Sequence, residues 1–330
     1  MSRGSPEPLP PLRFFYDELF LRHQAVGHPE SPHRLQAITA RLRLQPELQT
    51  CSWAAAAAAP LEAVARVHSR SHVDSIRDLS TRGGGWIDAD TYCGPQSFEV
   101  ALGAVGAALA AVDAAASSPA RPAFALVRPP GHHATPERAM GFCLFNNVAI
   151  AARHAQARYG VERLAVLDLD VHHGNGTQDA FYEDRAVLYC SLHQLPLYPG
   201  SGGALERGAG EGLGATLNLP LAPGSGPEPW LRALREQALP ALRRQRPQLI
   251  LVSAGFDGLA ADPLAQLMLT PQTYREAAAL IRGAASELGA APTVWVLEGG
   301  YHLERTAEAA SLCALELAGA GAAAQAHRLA

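Results

Sequence analysis

Polar chemistry along this chain gathers at the ends of four short apolar runs: Ala125 to His133 (ALVRPPGHH), Leu164 to Gly176 (LAVLDLDVHHGNG), Leu249 to Asp257 (LILVSAGFD) and Val294 to Tyr301 (VWVLEGGY). Each run is β-branched or aliphatic and follows a stretch that reads as helix. Strands separated by helices predict a parallel sheet. In such a sheet the crossovers are right-handed and all carboxyl ends share one edge, so residues far apart in sequence converge there. The expected fold class is α/β, a three-layer αβα domain around a central, mostly parallel sheet.

The spacing of Asp168, Asp170 and His172 has a period of two, which predicts all three on one side of an extended segment. Unpaired in an apolar strand, such groups are costly, and a divalent cation is the natural compensation. The competing reading is a polar strand end facing solvent. A tight Asp/His cluster in a cleft favours function over that reading. Asp257 falls just past a buried-looking run and can supply a third ligand, although an Asp after a strand is common in itself. His132 and His133 follow Arg128-Pro129-Pro130-Gly131, a turn-forming string that presents both imidazoles, and Tyr301 follows two glycines. The inventory at the predicted edge is that of a metal-assisted hydrolase.

Six segments then carry a resemblance: RPPGHHA, GFCLFNNVAIAA (Gly141 to Ala152), DLDVHHGNGTQ (Asp168 to Gln178), SLHQLPLYPGSG (Ser191 to Gly202), SAGFDGLAADPL (Ser253 to Leu264) and LEGGYHL (Leu297 to Leu303). With the earlier HPESPHRL and VHSRSHVDSI they resemble, in order and from about His28 onward, the zinc-dependent histone deacetylases and their bacterial relatives, including the acetylpolyamine amidohydrolases. The resemblance implies an arginase/deacetylase-like fold and a metal-dependent amidohydrolase that removes acetyl or other acyl groups from lysine side chains or related acylamines. Deacylation of acetylpolyamines or other small molecules is the alternative.

Residue by residue, the resemblance implies that Asp170, His172 and Asp257 hold one Zn²⁺ per chain and leave a coordination position open, as a catalytic site requires. Two oxygen donors and one nitrogen leave Fe(II) and Co(II) open as well. A structural K⁺ is also implied. His133 corresponds to the general base, His132 to a second, electrostatic histidine oriented by Asp168, and Asn175 to the residue that orients His133. Some relatives carry Asp in place of Asn175, so the proton balance of His133 is expected to differ. Tyr301 corresponds to the oxyanion donor, while His302 departs from the Asp or Asn usual after that Tyr. Phe142 and Tyr198 correspond to the walls of a narrow acyl-lysine channel, with Gly141 beside them allowing close approach. Asp90, or failing that Asp88, corresponds to a rim residue that holds the substrate backbone. Leu264 stands where polyamine-preferring relatives carry Glu, which favours an acetyl-lysine or other neutral acylamide tail.

Bulk properties narrow the picture further. A chain of 330 residues with no linker between its motifs is expected to form one catalytic domain over residues 12–320, with loose tails at 1–11 and 321–330. A net charge of -4, pI near 6.3 and scattered, overwhelmingly arginine basic residues argue against a nucleic-acid surface. Five cysteines without C-x-x-C spacing read as reduced thiols in a reducing, cytoplasmic compartment. Neither a signal peptide nor a membrane span is evident, and the alanine-rich stretches Ala54 to Ala59 and Ala318 to Ala326 read as padding. Two rivals differ in kind. A manganese ureohydrolase needs bridging carboxylates, yet Gly174 stands two residues after His172; a silent acetyl-lysine binder needs neither a base nor an oxyanion donor. The partners expected are an acylated lysine peptide or protein, or a small acylamine, with no nucleic acid and no membrane.

Overall fold

The computed structural model describes residues 12–117 and 121–319, so the two tails expected at the termini lie outside the described residues. The strands are β1 (Arg13–Phe15), β2 (Ser52–Ala54), β3 (Gly85–Trp86), β4 (Tyr92–Cys93), β5 (Ala123–Ala125), β6 (Leu164–Asp168), β7 (Val187–Gln194), β8 (Thr216–Leu221), β9 (Leu249–Ala254) and β10 (Thr293–Leu297). Eight of them form one sheet in the order β2-β1-β5-β10-β9-β6-β7-β8, and every neighbouring pair is parallel. Three of the runs picked out by hydrophobicity open with the adjacent strands β10, β9 and β6, whereas the run from Ala125 to His133 shares only Ala125 with the next strand, β5, and continues as the loop beyond it. All residues of these four are buried, as expected when helices cover both faces of a parallel sheet. The remaining two, β3 and β4, pair antiparallel as a small hairpin.

Helices Ser97–Ala115 and Asn147–Tyr159 pack together over one face, and Pro32–Arg43, Leu303–Leu317 and Pro271–Glu287 lie side by side over the other. Their ends follow local chemistry. Pro271 occupies the first turn behind a Thr270/Thr273 capping box, Asn146 accepts from the Ala149 N–H, and Gly160 closes its helix at φ +63°. His302, the departure noted above, caps the last helix by accepting from the Arg305 N–H. Helix Ser97–Ala115 is long and apolar enough to cross a membrane by length and composition, but 72% of that stretch is buried within the fold.

The structure departs from the sequence expectation in one respect that matters for the site. Strand β6 stops at Asp168, so Asp170 and His172 lie on the bend beyond it and owe their convergence to that bend, not to strand alternation. The five cysteines are buried and unpaired, as expected.

Candidate active site

The bend after β6 and the loop after β9 bring Asp170, His172 and Asp257 together, with one donor atom of each within 4.8 Å of the others. His172 Nδ1 lies 3.1 Å from Asp170 Oδ1 and 3.1 Å from Asp257 Oδ2. Backbone groups aim the carboxylates: Gly299 N–H donates to Asp170 Oδ2 (2.8 Å) and Val171 N–H to Asp257 Oδ1 (2.8 Å). Gly299 must be glycine, because a Cβ there would collide with Asp257 Oδ2. Burial and the adjacent Asp170 carboxylate push Asp257 above the ordinary carboxylate range. Two carboxylates and an imidazole crowded together away from water form a donor set that fits a divalent cation.

Asp168 does not join this group. Its Oδ2 accepts from His132 Nδ1 (3.1 Å) and from the Tyr189 hydroxyl (3.0 Å). His133 Nδ1 donates to Asn175 Oδ1 (2.9 Å), which leaves Nε2 with the lone pair. The two adjacent histidines are thereby driven apart. Burial would lower both, but Asp170 and Asp168 outweigh it at His132, which is raised well above the usual imidazole range. At His133 burial dominates and the neighbouring His132 and His172 rings hold it further down, against the weaker pull of Asp170 and the Asn175 hydrogen bond. One imidazole is kept cationic and the other neutral, the division that separates an electrostatic group from a base.

A cavity of about 200 Å³ is bounded by His133, His172, Tyr301, Gly141, Phe142, Tyr198, Asp90 and Leu264, all anticipated from the sequence, together with Leu197. Asp90 lines it and Asp88 does not. A wider groove of about 920 Å³ beside residues 55–60 shares none of this lining. Gly141 and Phe142 both take left-handed backbone, at φ +55° and +68°, and a Cβ on Gly141 would strike the His133 ring. Left-handed backbone at a phenylalanine is strained, and it places the ring edge-on to Tyr301 at 5.7 Å. Tyr198 stands edge-on to His133 at 5.1 Å. Burial raises the Tyr301 phenol well above its ordinary range, so it stays a hydrogen-bond donor.

Four supporting residues escaped the sequence reading. Glu298 Oε2 accepts from the N–H groups of Gly131 (2.6 Å) and His132 (3.2 Å), fixing the histidine turn. Asp262 accepts from the N–H groups of Tyr301 (2.7 Å) and Leu264 (2.9 Å). Arg34 lies 4.8 Å over the Tyr301 ring and donates to the carbonyls of Gly300 (2.6 Å) and Glu298 (2.5 Å). Glu30 binds Arg34 (2.9 Å) and, through both oxygens, Arg128 (2.5 Å each). All four lie inside segments quoted above, and the Glu30/Arg34 spacing of four at a helix start was the one available signal.

Residues 28–317 match the family model described as "Histone deacetylase domain". The chain belongs to the histone deacetylase family. Among relatives of this family, a "Histone deacetylase-like amidohydrolase" of Pseudomonas aeruginosa is 43% identical over 316 residues, covering 87% of this chain and 81% of that protein. The human "Polyamine deacetylase HDAC10" is 40% identical over 303 residues, covering 88% of this chain and 44% of that protein. A solved structure, "Crystal Structure of HDA15 HD domain", superposes with a TM-score of 0.87 at 34% identity, covering 94% of this chain and 90% of that one. Membership makes this histone deacetylase homologue a hydrolase of the deacetylase and amidohydrolase class.

Proposed function

We propose that the protein is a zinc-dependent deacylase that cleaves the side-chain amide of acyl-lysine. One observation carries this reading: His133, Tyr301 and His172 of the metal-ligating trio border the same cavity of about 200 Å³. Asp170, His172 and Asp257 would hold the cation, which when bound polarises an amide carbonyl and makes water acidic enough to attack near neutral pH. His133, held neutral, takes the proton of the attacking water and returns one to the departing amine. His132, paired to Asp168, keeps positive charge beside the developing negative charge. The Tyr301 phenol donates to the carbonyl oxygen as it becomes an oxyanion. Phe142 and Tyr198 sheath the methylene chain and exclude water, and Asp90 at the rim takes the substrate backbone.

The second reading, an acetylpolyamine deacylase, has a named relative in its favour. Against it stands Leu264, an apolar side chain on the cavity wall at the place where the resemblance puts a Glu in polyamine-preferring relatives. The discriminating measurement is kcat/KM for an acetyl-lysine peptide and an acetylpolyamine on the wild type and on Leu264→Glu. The wild type should prefer the peptide, and Leu264→Glu should raise kcat/KM for the polyamine by roughly five- to a hundredfold while the peptide gains nothing comparable. A wild type that already prefers the polyamine overturns the acyl-lysine assignment.

A further inference from the structure

Beyond the channel itself, the β3–β4 hairpin presents a side chain that the fold does not need. Trp86 is 54% exposed and stands at the end of a row of rings that leads out of the reaction site. It joins the channel through a continuous aromatic path. Phe142, on the cavity wall, meets the His28 ring at 4.6 Å, and His28 meets Trp86 at 5.8 Å. Tyr92, across the hairpin, braces Trp86 edge-on at 5.3 Å.

The platform is held still. Ile87 N–H donates to the Thr91 carbonyl (2.8 Å), Asp88 Oδ1 accepts from the Asp90 (3.2 Å) and Thr91 (2.7 Å) N–H groups, and His28 Nε2 donates to the Asp90 carbonyl (2.9 Å). The same loop sets its charge. Asp88 and Asp90 sit close enough that burial and the Asp88 carboxylate raise Asp90 above its ordinary range. The cation facing them is Arg138, 62% exposed and 3.7 Å from Asp88, which leaves the carboxylates in excess.

An exposed indole beside a loop whose two carboxylates face one arginine is chemistry that selects a cation. We propose that the exposed Trp86 indole, backed by the acidic loop that carries Asp88 and Asp90, forms a subsite beside the channel mouth that takes an arginine or lysine side chain next to the acylated lysine of a peptide substrate. The inference rests on the acyl-lysine reading above and deepens it by naming the side chain taken beside the acylated lysine. Contact with an exposed cation at such a site supports a preference of roughly three- to tenfold in kcat/KM.

The test uses three substrates: an acetyl-lysine peptide flanked by arginine, the same peptide flanked by glutamate, and Nε-acetyl-lysine amide, which has no flanking residue. Each is assayed on the wild type, Trp86→Ala and Trp86→Phe. The expected result is a three- to tenfold wild-type preference for the arginine peptide that shrinks at high salt, is lost in Trp86→Ala through KM, and is partly kept in Trp86→Phe. Turnover of the isolated acetyl-lysine amide should stay at the wild-type rate in both variants. Equal slowing on all three substrates would show that the ring only braces His28 and Phe142, and a preference that survives Trp86→Ala would place selectivity elsewhere. Either result overturns the subsite. Failure of the metal-loaded wild type on every acetyl-lysine substrate removes the acyl-lysine reading, and the subsite with it.

Discussion

At the level of single residues, His133 and Tyr301 carry opposite burdens, which makes them separable by experiment. Tyr301→Phe deletes only a hydroxyl donor, so kcat should fall by roughly 10²–10³ while the metal bound per chain stays unchanged. His133→Ala removes both the base and the acid for amine departure and should be at least as damaging. Steady-state kinetics beside metal analysis check both. If neither change slows a substrate whose chemical step limits the rate, the silent-binder alternative returns. These residues were legible because reactive side chains at strand ends follow from hydrophobic patterning and the family motifs. Glu298 and Asp262 were not legible, because their work is done on backbone N–H groups of other segments and leaves no spacing in the sequence. Asp168 shows the converse: period-two spacing grouped it with Asp170 and His172, but β6 ends at Asp168 and its carboxylate turns to His132.

Between elements, the Glu30 carboxylate is the joint that ties the N-terminal segment to the histidine turn. Arg128 spends its remaining donors on the carbonyls of Phe20 (2.8 Å) and His23 (2.8 Å), and Arg34 reaches the loop after β10, so one buried anion organises three segments. Burial alone would raise Glu30, yet Arg128 and Arg34 outweigh it and hold the group at about 2, below its ordinary 4.5. The folded value is the depressed one. Glu30 therefore contributes stability that is complete above pH 4.5 and is lost as pH falls from there toward 2. That shift corresponds to roughly 3 kcal/mol. Glu30→Gln should forfeit about 3–5 kcal/mol at neutral pH, since it strands two buried guanidiniums. The gap between the two proteins, measured by urea unfolding at a series of pH values, should narrow below pH 4.5; a constant gap would assign the loss to packing instead. At this scale β6, β9 and β10 were readable from their apolar runs, whereas β1, β2 and β5, of three residues each, are too short to show any period.

For the whole molecule, the parallel sheet settles what a metal can and cannot stabilise. The three donors stand on the loops after β6 and β9, and Gly299 after β10 grips Asp170, so a bound cation ties together the carboxyl ends of three adjacent strands. The strands themselves are buried beneath helices on both faces and do not depend on that tie. Metal-free protein should therefore stay folded but inactive, unlike a small domain whose fold is its metal site. Free Zn²⁺ at about a hundred times Kd adds about 2.7 kcal/mol to the folded state, a shift of several degrees in Tm for a chain of this size. Chelation should abolish hydrolysis and lower Tm by that amount, and added Zn²⁺ should restore both. Asp257→Ala should lose the Zn²⁺-dependent Tm shift along with activity, while Tyr301→Phe should keep the shift and lose activity. Calorimetry and a deacylation assay on the same preparations read both quantities. Full activity in protein verified to be metal-free would end the metal-dependent mechanism, and a Tm shift undiminished in Asp257→Ala would put the bound ion somewhere other than this trio.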